Sequence, residues 1–347
     1  MTRCWHLTII SILNYEISPY QPEIIQESLR LPDLADPLPG TDAYAAAQQR
    51  IDTTTSIGAM PWLPQMPDAW AFDIYEQIES YERMLVGSNR TITDYRTGTA
   101  TNEDGLRIIE TNPEGILFSA EHATKPVRYL PNKIGACDPG TGGLAALLGE
   151  QYGTAIIATG RQTSNAALVD NHPLKRELNR YLPSAQAYVS VHGMGAGKFV
   201  RTTDTANVHI SIGLGQNPAP PESLALAENL VATAHDLGLY AIIGNKQQYY
   251  TQLRDSTKLK RNEDGTAYRH ELGAFRHATT VNYVRRKPFN EIGHTPALQI
   301  ELTSLLRLPI ANRRFAKDKR TEIMGVALGY CFMEQVALLM QREVSFN

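Results

Sequence analysis

Two histidines far apart in the chain each close a short apolar, β-like run: Phe118-Ser119-Ala120-Glu121-His122-Ala123-Thr124 and Ala187-Tyr188-Val189-Ser190-Val191-His192-Gly193. Imidazole is the commonest metal-ligating side chain, and a strand that stops at a His-Ala or His-Gly step delivers the ring to the rim of a sheet with little bulk nearby. In open α/β sheets that rim is where ligands bind. A zinc hydrolase needs about three protein ligands, an open position for water and a carboxylate base close by. Asp138, on a loop just before a helix, can supply the third ligand. Glu121 competes with it, but strand alternation turns Glu121 away from His122, so Asp138 is preferred. Zinc held by His122, Asp138 and His192 would lower the pKa of its water to roughly 7. The ordinary alternatives are capping or surface roles for the histidines, and for Asp138-Pro139-Gly140 a turn with a helix cap at Thr141.

Glu301 lies in Ala297-Leu298-Gln299-Ile300-Glu301-Leu302, a strand apolar enough to be buried on both faces. A carboxylate there is costly unless it is paired or lies near a cation. A strand-end ion pair with Arg307 is the structural alternative to a functional role. A substrate carboxylate calls for arginine, whose planar fork bonds both oxygens. Arg161, after the run Ala155 to Thr159, leads, with Arg201 and Arg176 in reserve. His172 and His209 are further candidate neighbours of the site, although His209 alternates with Val208 and Ile210 and reads equally as facing the other side of its strand.

Taken together, four segments resemble the N-formylglutamate amidohydrolase family: Ser119 to Thr124, Cys137 to Ala145 around Asp138-Pro139-Gly140, Ser190-Val191-His192-Gly193-Met194, and Leu298-Gln299-Ile300-Glu301-Leu302. The likeness covers roughly Gly115 to Leu308. It implies a zinc-dependent amide hydrolase of the phosphorylase/hydrolase-like kind, related in fold to the zinc carboxypeptidases. The implied substrate is a small N-acyl amino acid, with N-formyl-L-glutamate the leading one. Within the resemblance Glu301 matches the general base that takes a proton from water and returns it to the departing amine, and Arg161 matches the family's arginine. The stretch from Gly160 to His172 departs from the family, which has a Ser-Arg step followed closely by an Asp and an Asn-Arg pair; only Arg161 matches.

Composition is ordinary for a globular chain of 347 residues, with 42% hydrophobic and 20% charged residues, enough for one large α/β domain or two smaller ones. A formal charge of -3 and a pI near 6.3 argue against a polyanion partner, since non-specific nucleic-acid binding rests on a basic surface. Cys4, Cys137 and Cys331 form no disulfide framework and no Cys-x-x-Cys pair, which points to a reducing, cytoplasmic setting. The run Leu7 to Leu13 is too short to span a bilayer and lacks a cationic flank and a cleavage site, so it reads as a strand or packed segment, and no membrane partner is expected. In that setting the sequon Asn89-Arg90-Thr91 carries no meaning.

The elements that must position these residues follow from pattern. Residues 1–100 read as a proline-rich extension, partly helical, with prolines punctuating Pro19 to Pro67, a short helix possible over Thr41 to Ile51, and a helix over Asp68 to Leu85. Residues 101–347 read as the catalytic domain, an α/β unit whose mixed sheet is flanked by helices. Strands are expected at Gly115 to Ser119, Ala155 to Ala158, Ala187 to Val191, Val208 to Leu214, Tyr240 to Ile243 and Pro296 to Leu302. Helices are expected at Thr141 to Tyr152, His172 to Tyr181, Glu222 to Leu237 and Arg320 to Arg342. The polar stretch Thr251 to Phe275 reads as a loop or lid.

Three rival classes fit the sequence less well or differ from the hydrolase in a testable way. Gly193 to Phe199 falls one residue short of a Walker A loop and has Phe199 where the Mg²⁺-binding hydroxyl belongs. No Gly-x-Ser-x-Gly elbow is present, and Cys137 has no evident histidine partner, so serine or cysteine nucleophiles are poorly supported. A non-catalytic binding protein on the same scaffold is the third, and metal content separates it from the hydrolase.

Overall fold

The computed structural model describes residues 68–99, 105–124, 137–162, 166–167, 171–194, 209–214, 221–239, 241–243, 249–251, 269–271, 296–311 and 318–345. The expectations for residues before Asp68, for Arg201, and for the glycine-rich stretch after Met194 lie outside them. The described residues all belong to the unit Pro39–Asn347.

Seven strands form one mixed sheet. In chain order the elements are α1 (Asp68–Val86), α2 (Ile92–Thr97), β1 (Leu106–Glu110), β2 (Ile116–Ala120), α3 (Thr141–Tyr152), β3 (Gly153–Ala158), α4 (Pro173–Tyr181), β4 (Ala187–Met194), β5 (Ile210–Gly213), α5 (Pro221–Asp236), β6 (Ala241–Ile243), β7 (Tyr249–Thr251), β8 (Arg269–Glu271), β9 (Ala297–Thr303) and α6 (Lys319–Ser345). The sheet order is β1-β3-β2-β4-β9-β5-β6. β3, β2, β4 and β9 run parallel, β1 lies antiparallel to β3, and β5 lies antiparallel to β9.

Four parallel strands therefore end at one edge. From β2 the chain passes through α3 to β3 on one side of it, whereas β4 sits on β2's other side and the strands that follow lie beyond β4. The ends of β2 and β4 thus diverge at a topological switch point, the crevice where open α/β sheets bind ligands.

The two faces of the sheet differ in a way the register makes plain. One face carries Ile116, Phe118, Ala155, Ile157, Val189, Val191, Leu298, Ile300, Leu302, Ile210 and Ile212, all buried in a core shared with α1, α3, α5 and α6. The other is apolar only near α4, where Leu117, Ile156, Tyr188 and Ala297 meet Leu174, Leu178 and Tyr181. Toward the ends of the central strands it turns polar: Ser119 pairs with Ser190, Ser190 with Gln299, His192 with Glu301, and Glu301 with Ser211. Paired residues on neighbouring strands point to the same face, so a hydrophilic strip leads across the sheet to its edge.

Helix α1 presents Ala71, Ile74, Tyr75, Ile78, Glu79, Glu82, Leu85 and Val86 inward, the spacing of an amphipathic helix. Its apolar side chains join the same core as the sheet. Helix α6 is long and apolar enough to cross a membrane, yet 67% of its apolar window is buried in the protein. Met324, Val326, Leu328, Phe332, Met333, Val336 and Met340 lie in that core, as suits the central helix of a globular fold.

Most boundaries fall within a residue or two of those the sequence implies, and Thr141–Tyr152 matches at both ends. Four elements were not foreseen. β1 has a weak inward pattern at a sheet edge. α2 is a six-residue helix closed by a capping box between Thr91 and Asp94. β7 pairs with β8 in a short antiparallel ladder, so Thr251 and Arg269–Glu271, expected within the loop Thr251 to Phe275, are paired instead, and Tyr249 and Tyr250 just before that loop join them.

Candidate metal centre

Each of the three sequence-derived ligands is delivered by a different device. His122 stands in the turn just past β2, where the chain leaves the sheet. His192 lies within β4, on the polar face, paired in register with Glu301 of β9. Asp138 is held by its own backbone. Its N–H donates to the His122 carbonyl at 2.8 Å, and its carbonyl accepts from the Thr141 hydroxyl at 2.7 Å and the Thr141 N–H at 3.2 Å. The turn anticipated at Asp138-Pro139-Gly140 is therefore present, but it is made by the main chain and leaves the carboxylate to point elsewhere. The N-cap of α3 is Gly140 at φ 84° rather than Thr141, and no side chain of its own caps it.

The carboxylate meets both imidazoles. Asp138 Oδ2 lies 3.4 Å from His122 Nδ1 and 3.5 Å from His192 Nδ1. The two rings are 4.9 Å apart between centroids and nearly perpendicular, at 79°. One donor atom from each of the three residues lies within 4.8 Å of the others. Donors about 2.1 Å from a tetrahedral ion are about 3.4 Å from one another, so the two Nδ1 to Oδ2 separations are those a zinc-sized cation requires. Two imidazoles and a carboxylate also suit such an ion chemically, and the residues present fit it. Asp138 and His192 are buried, while His122 keeps a fifth of its side chain exposed and so marks the open side.

Electrostatics bind the cluster together. Burial alone pushes the Asp138 carboxyl up, but the hydrogen bonds and charges of His122 and His192 reverse this and hold it well below the usual range. For His192, burial pushes the imidazole down, and Glu121, Asp138 and Glu301 outweigh that and bring it up to about 9.

Glu121 is not a third ligand of this group. It is 1% exposed and its carboxylate faces the opposite nitrogen of His192, with Oε2 at 3.4 Å from Nε2. Ser119, Tyr188 and Ser190 surround it with hydroxyls. Burial pushes its carboxyl up, and the charges of His192 and the buried Lys175 of α4 bring it down below its ordinary value.

Glu301 sits half-buried on the strand beside His192 and accepts from Gln299 Nε2 at 2.9 Å. Adjacent strands are about 4.8 Å apart, which puts this carboxylate next to the His192 ring on the same face. Arg307, weighed earlier only as an ion-pair partner, proves to be a structural hub. Its Nη1 donates to the Pro139 carbonyl at 2.6 Å and its Nε to the Leu302 carbonyl at 2.9 Å, while its guanidinium lies against Gly193. It thereby ties the Asp138 loop to the ends of β4 and β9. Burial pushes its pKa down, while Asp138 and Glu301 are among the charges that oppose the shift.

The remaining candidates divide. Arg161 is exposed at the same sheet edge, just past the end of β3. Arg176 is exposed on α4. His172 caps α4, its Nδ1 accepting from the Leu174 N–H at 3.1 Å, which is a structural use. His209 is buried before β5, at the same edge, and its carbonyl accepts from the Thr303 N–H. The residues that sequence reasoning gave no role at the site are Ser119, Tyr188, Ser190 and Lys175, and Arg307 was expected only as a partner of Glu301. Tyr188 and Ser190 alternate with His192 along β4, and Ser119 alternates with Glu121.

No protein-family profile matches the chain, and no curated protein matches it either. Among solved structures, a bacteriophage poly-gamma-glutamate hydrolase overlaps with a TM-score of 0.38 at 15% identity, over 67% of this chain and 90% of that one. N-formylglutamate amidohydrolase from Ralstonia eutropha JMP134 overlaps with a TM-score of 0.32 at 12% identity, over 70% and 97%. A purine nucleoside phosphorylase from Toxoplasma gondii in complex with immucillin-H does so with a TM-score of 0.31 at 10% identity, over 67% and 93%. At such scores none of these likenesses bears on activity, and any functional reading rests on the side chains.

Proposed function

We propose that the chain is a zinc-dependent hydrolase that cleaves the amide bond of a small N-acyl amino acid, N-formyl-L-glutamate being the first to try, in a cytoplasmic setting. The observation that carries the reading is the convergence of His122, Asp138 and His192 at a switch point of the sheet, with Glu301 on the strand beside His192. His122, Asp138 and His192 would hold the ion, which when bound supplies Lewis acidity toward the amide carbonyl and toward water.

The chain's own groups do the rest. Glu301, set among polar neighbours at the sheet edge, takes a proton from the attacking water on a carboxylate oxygen and returns it to the departing amine nitrogen. Arg161, exposed at the same edge, orients the carboxylate of the amino-acid half through its planar fork. Arg307 keeps the Asp138 loop in place by its bond to Pro139.

The test begins with elemental analysis of the purified protein and a hydrolysis screen of formyl-, acetyl- and succinyl-amino acids. Stoichiometric zinc and chelator-sensitive release of an amine are expected. Glu301→Gln should keep zinc and lose at least a hundredfold in kcat, the usual scale of general acid-base assistance. His192→Ala should lose zinc occupancy. Near-normal turnover by the first variant would remove Glu301 as base, and full occupancy in the second would remove His192 as ligand.

A further inference from the structure

A metal-binding imidazole has to present the correct nitrogen, and what fixes that choice is the partner of its other nitrogen. For His192 the two nitrogens face two different carboxylates: Nδ1 faces Asp138 at 3.5 Å and Nε2 faces Glu121 at 3.4 Å. Nε2 is buried, and Glu121 faces it in ion-pair rather than hydrogen-bond geometry, so the carboxylate acts on it through its charge. Glu121 is therefore placed on the side of the ring turned away from the cluster of three donors, and it cannot serve a cation held there.

The surroundings of Glu121 decide which of its oxygens is left for the ring. Oε1 is approached by three hydroxyls: Ser190 at 2.9 Å, Ser119 at 3.0 Å and Tyr188 at 3.0 Å. Ser119 and Tyr188 are themselves linked at 2.7 Å. These contacts fill the lone pairs of Oε1. Oε2 has only the longer Ser190 contact at 3.1 Å among the described hydroxyls, and this is the oxygen that faces His192. Ser119, Tyr188 and Ser190 lie on the polar face of β2 and β4, the face that carries His192. A fully buried carboxylate is expensive; here a ring of hydroxyls built into the sheet holds it, aimed at one nitrogen.

We infer that Glu121 is a positioning residue for the metal site: it holds the proton of His192 on Nε2, so that Nδ1 is presented, unprotonated and correctly turned, to the cation shared with His122 and Asp138. The Ser119, Tyr188 and Ser190 hydroxyls position Glu121 in turn. The inference rests on the metal-site reading above. It also explains why a glutamate adjacent to His122 in the chain acts on the other histidine: the β2 to β4 pairing sets Ser119 opposite Ser190, and two residues further along each chain are Glu121 and His192.

Zn²⁺ affinity of the purified full chain, measured by competition with a chromophoric chelator, tests this without reference to any substrate. The visible absorption of the Co²⁺-loaded protein gives a second readout of the ligand set. Glu121→Gln should weaken Zn²⁺ binding by about 10- to 100-fold, as loss of a metal ligand's outer partner does, and should alter the Co²⁺ spectrum. Ser190→Ala, which removes two contacts to Glu121 without touching its charge, should weaken binding in the same direction but less. Glu121→Asp should recover part of the loss. Should Glu121→Gln fail to fold, Ser190→Ala and Glu121→Asp decide alone: wild-type affinity and an unchanged Co²⁺ spectrum in both overturn the inference. The same result for a folded Glu121→Gln also overturns it. A wild-type chain that takes up no Zn²⁺ overturns both this inference and the hydrolase reading, whereas a wild-type chain that binds Zn²⁺ beside variants that bind it equally well overturns this one alone.

Discussion

Placing a methyl group on Gly193 is the sharpest way to test how the Asp138 loop is fixed. A Cβ at that position would lie 2.3 Å from Arg307 Cζ, 2.5 Å from Nη1 and 2.6 Å from Nη2, where ordinary contact begins at 3.4 Å. The guanidinium would have to retreat by about 1 Å, and it is not free to do so at no cost, because Nη1 is bonded to the Pro139 carbonyl and Nε to the Leu302 carbonyl. Losing one hydrogen bond from a charged donor costs about 1.5 to 3 kcal/mol, and overpacking alone about 1 to 3 kcal/mol. We expect Gly193→Ala to destabilise the fold by about 3 kcal/mol. Denaturant unfolding of Gly193→Ala, Arg307→Met and the double variant isolates the contact. With the guanidinium gone the alanine should cost less than about 1 kcal/mol, a coupling of about 2 kcal/mol. Equal cost of the alanine in both backgrounds would show that Arg307 does not lean on Gly193 and would sink the hub assigned to it.

Two further substitutions probe the loop from its other side. Gly140 combines φ 84° with a Cβ position only 2.5 Å from the Leu308 nitrogen and 2.7 Å from its oxygen, so Gly140→Ala meets backbone as well as left-handed strain; unfolding should show a loss of about 2 to 5 kcal/mol, and a loss below about 1 kcal/mol contradicts the geometry. Glu82 is buried and caps α3 by accepting from the Gly143 N–H at 2.7 Å and from the Tyr95 hydroxyl at 2.5 Å. Burial pushes its carboxyl up, and the hydrogen bonds from Tyr95 and Gly143 only partly offset this. A raised folded value means the native state holds the proton more tightly than the unfolded chain. Its stabilising contribution is therefore complete below about pH 4.3 and is lost as pH rises through the folded value. Glu82→Gln cannot titrate, so its stability relative to the native protein should improve between pH 5 and pH 8 in denaturant titrations; a pH-independent difference would count against the burial argument.

Much of this architecture could be read from residues alone. Apolar runs such as Ile116 to Phe118 and Leu298 to Ile300, separated by helical patterns, define parallel strands, and a His at the end of such a run lands at the sheet edge for geometric reasons. The alternation Tyr188, Ser190, His192 already says that β4 has a polar side. What a single chain could not convey was adjacency. That Ser190 lies beside Ser119, and Glu301 beside His192, depends on strand order, which a sequence does not contain. Glu121 was ambiguous for the same reason, since a carboxylate adjacent to His122 reads as a rival ligand until β4 is placed next to β2. Arg307 shows the reverse case: its charge suggested an ion pair with Glu301, and its bonds to two carbonyls follow from loop geometry that no local pattern predicts. β1 escaped notice because an edge strand with one wet face carries little hydrophobic signal.

The switch point has a consequence for how the protein matures. His122 and Asp138 both lie between β2 and α3 and His192 lies in β4, while Glu301 joins them only when β9, late in the chain, pairs with β4. No single element carries more than one of the three candidate donors, so the cluster exists only once β2 and β4 lie side by side. Under the metal-site proposal, uptake of the ion would be coupled to that long-range pairing, of the kind that forms slowly in sheets. Once made, the bound state draws the equilibrium toward itself by mass action. On that reading, metal occupancy in a preparation would report how many molecules have joined β2 to β4.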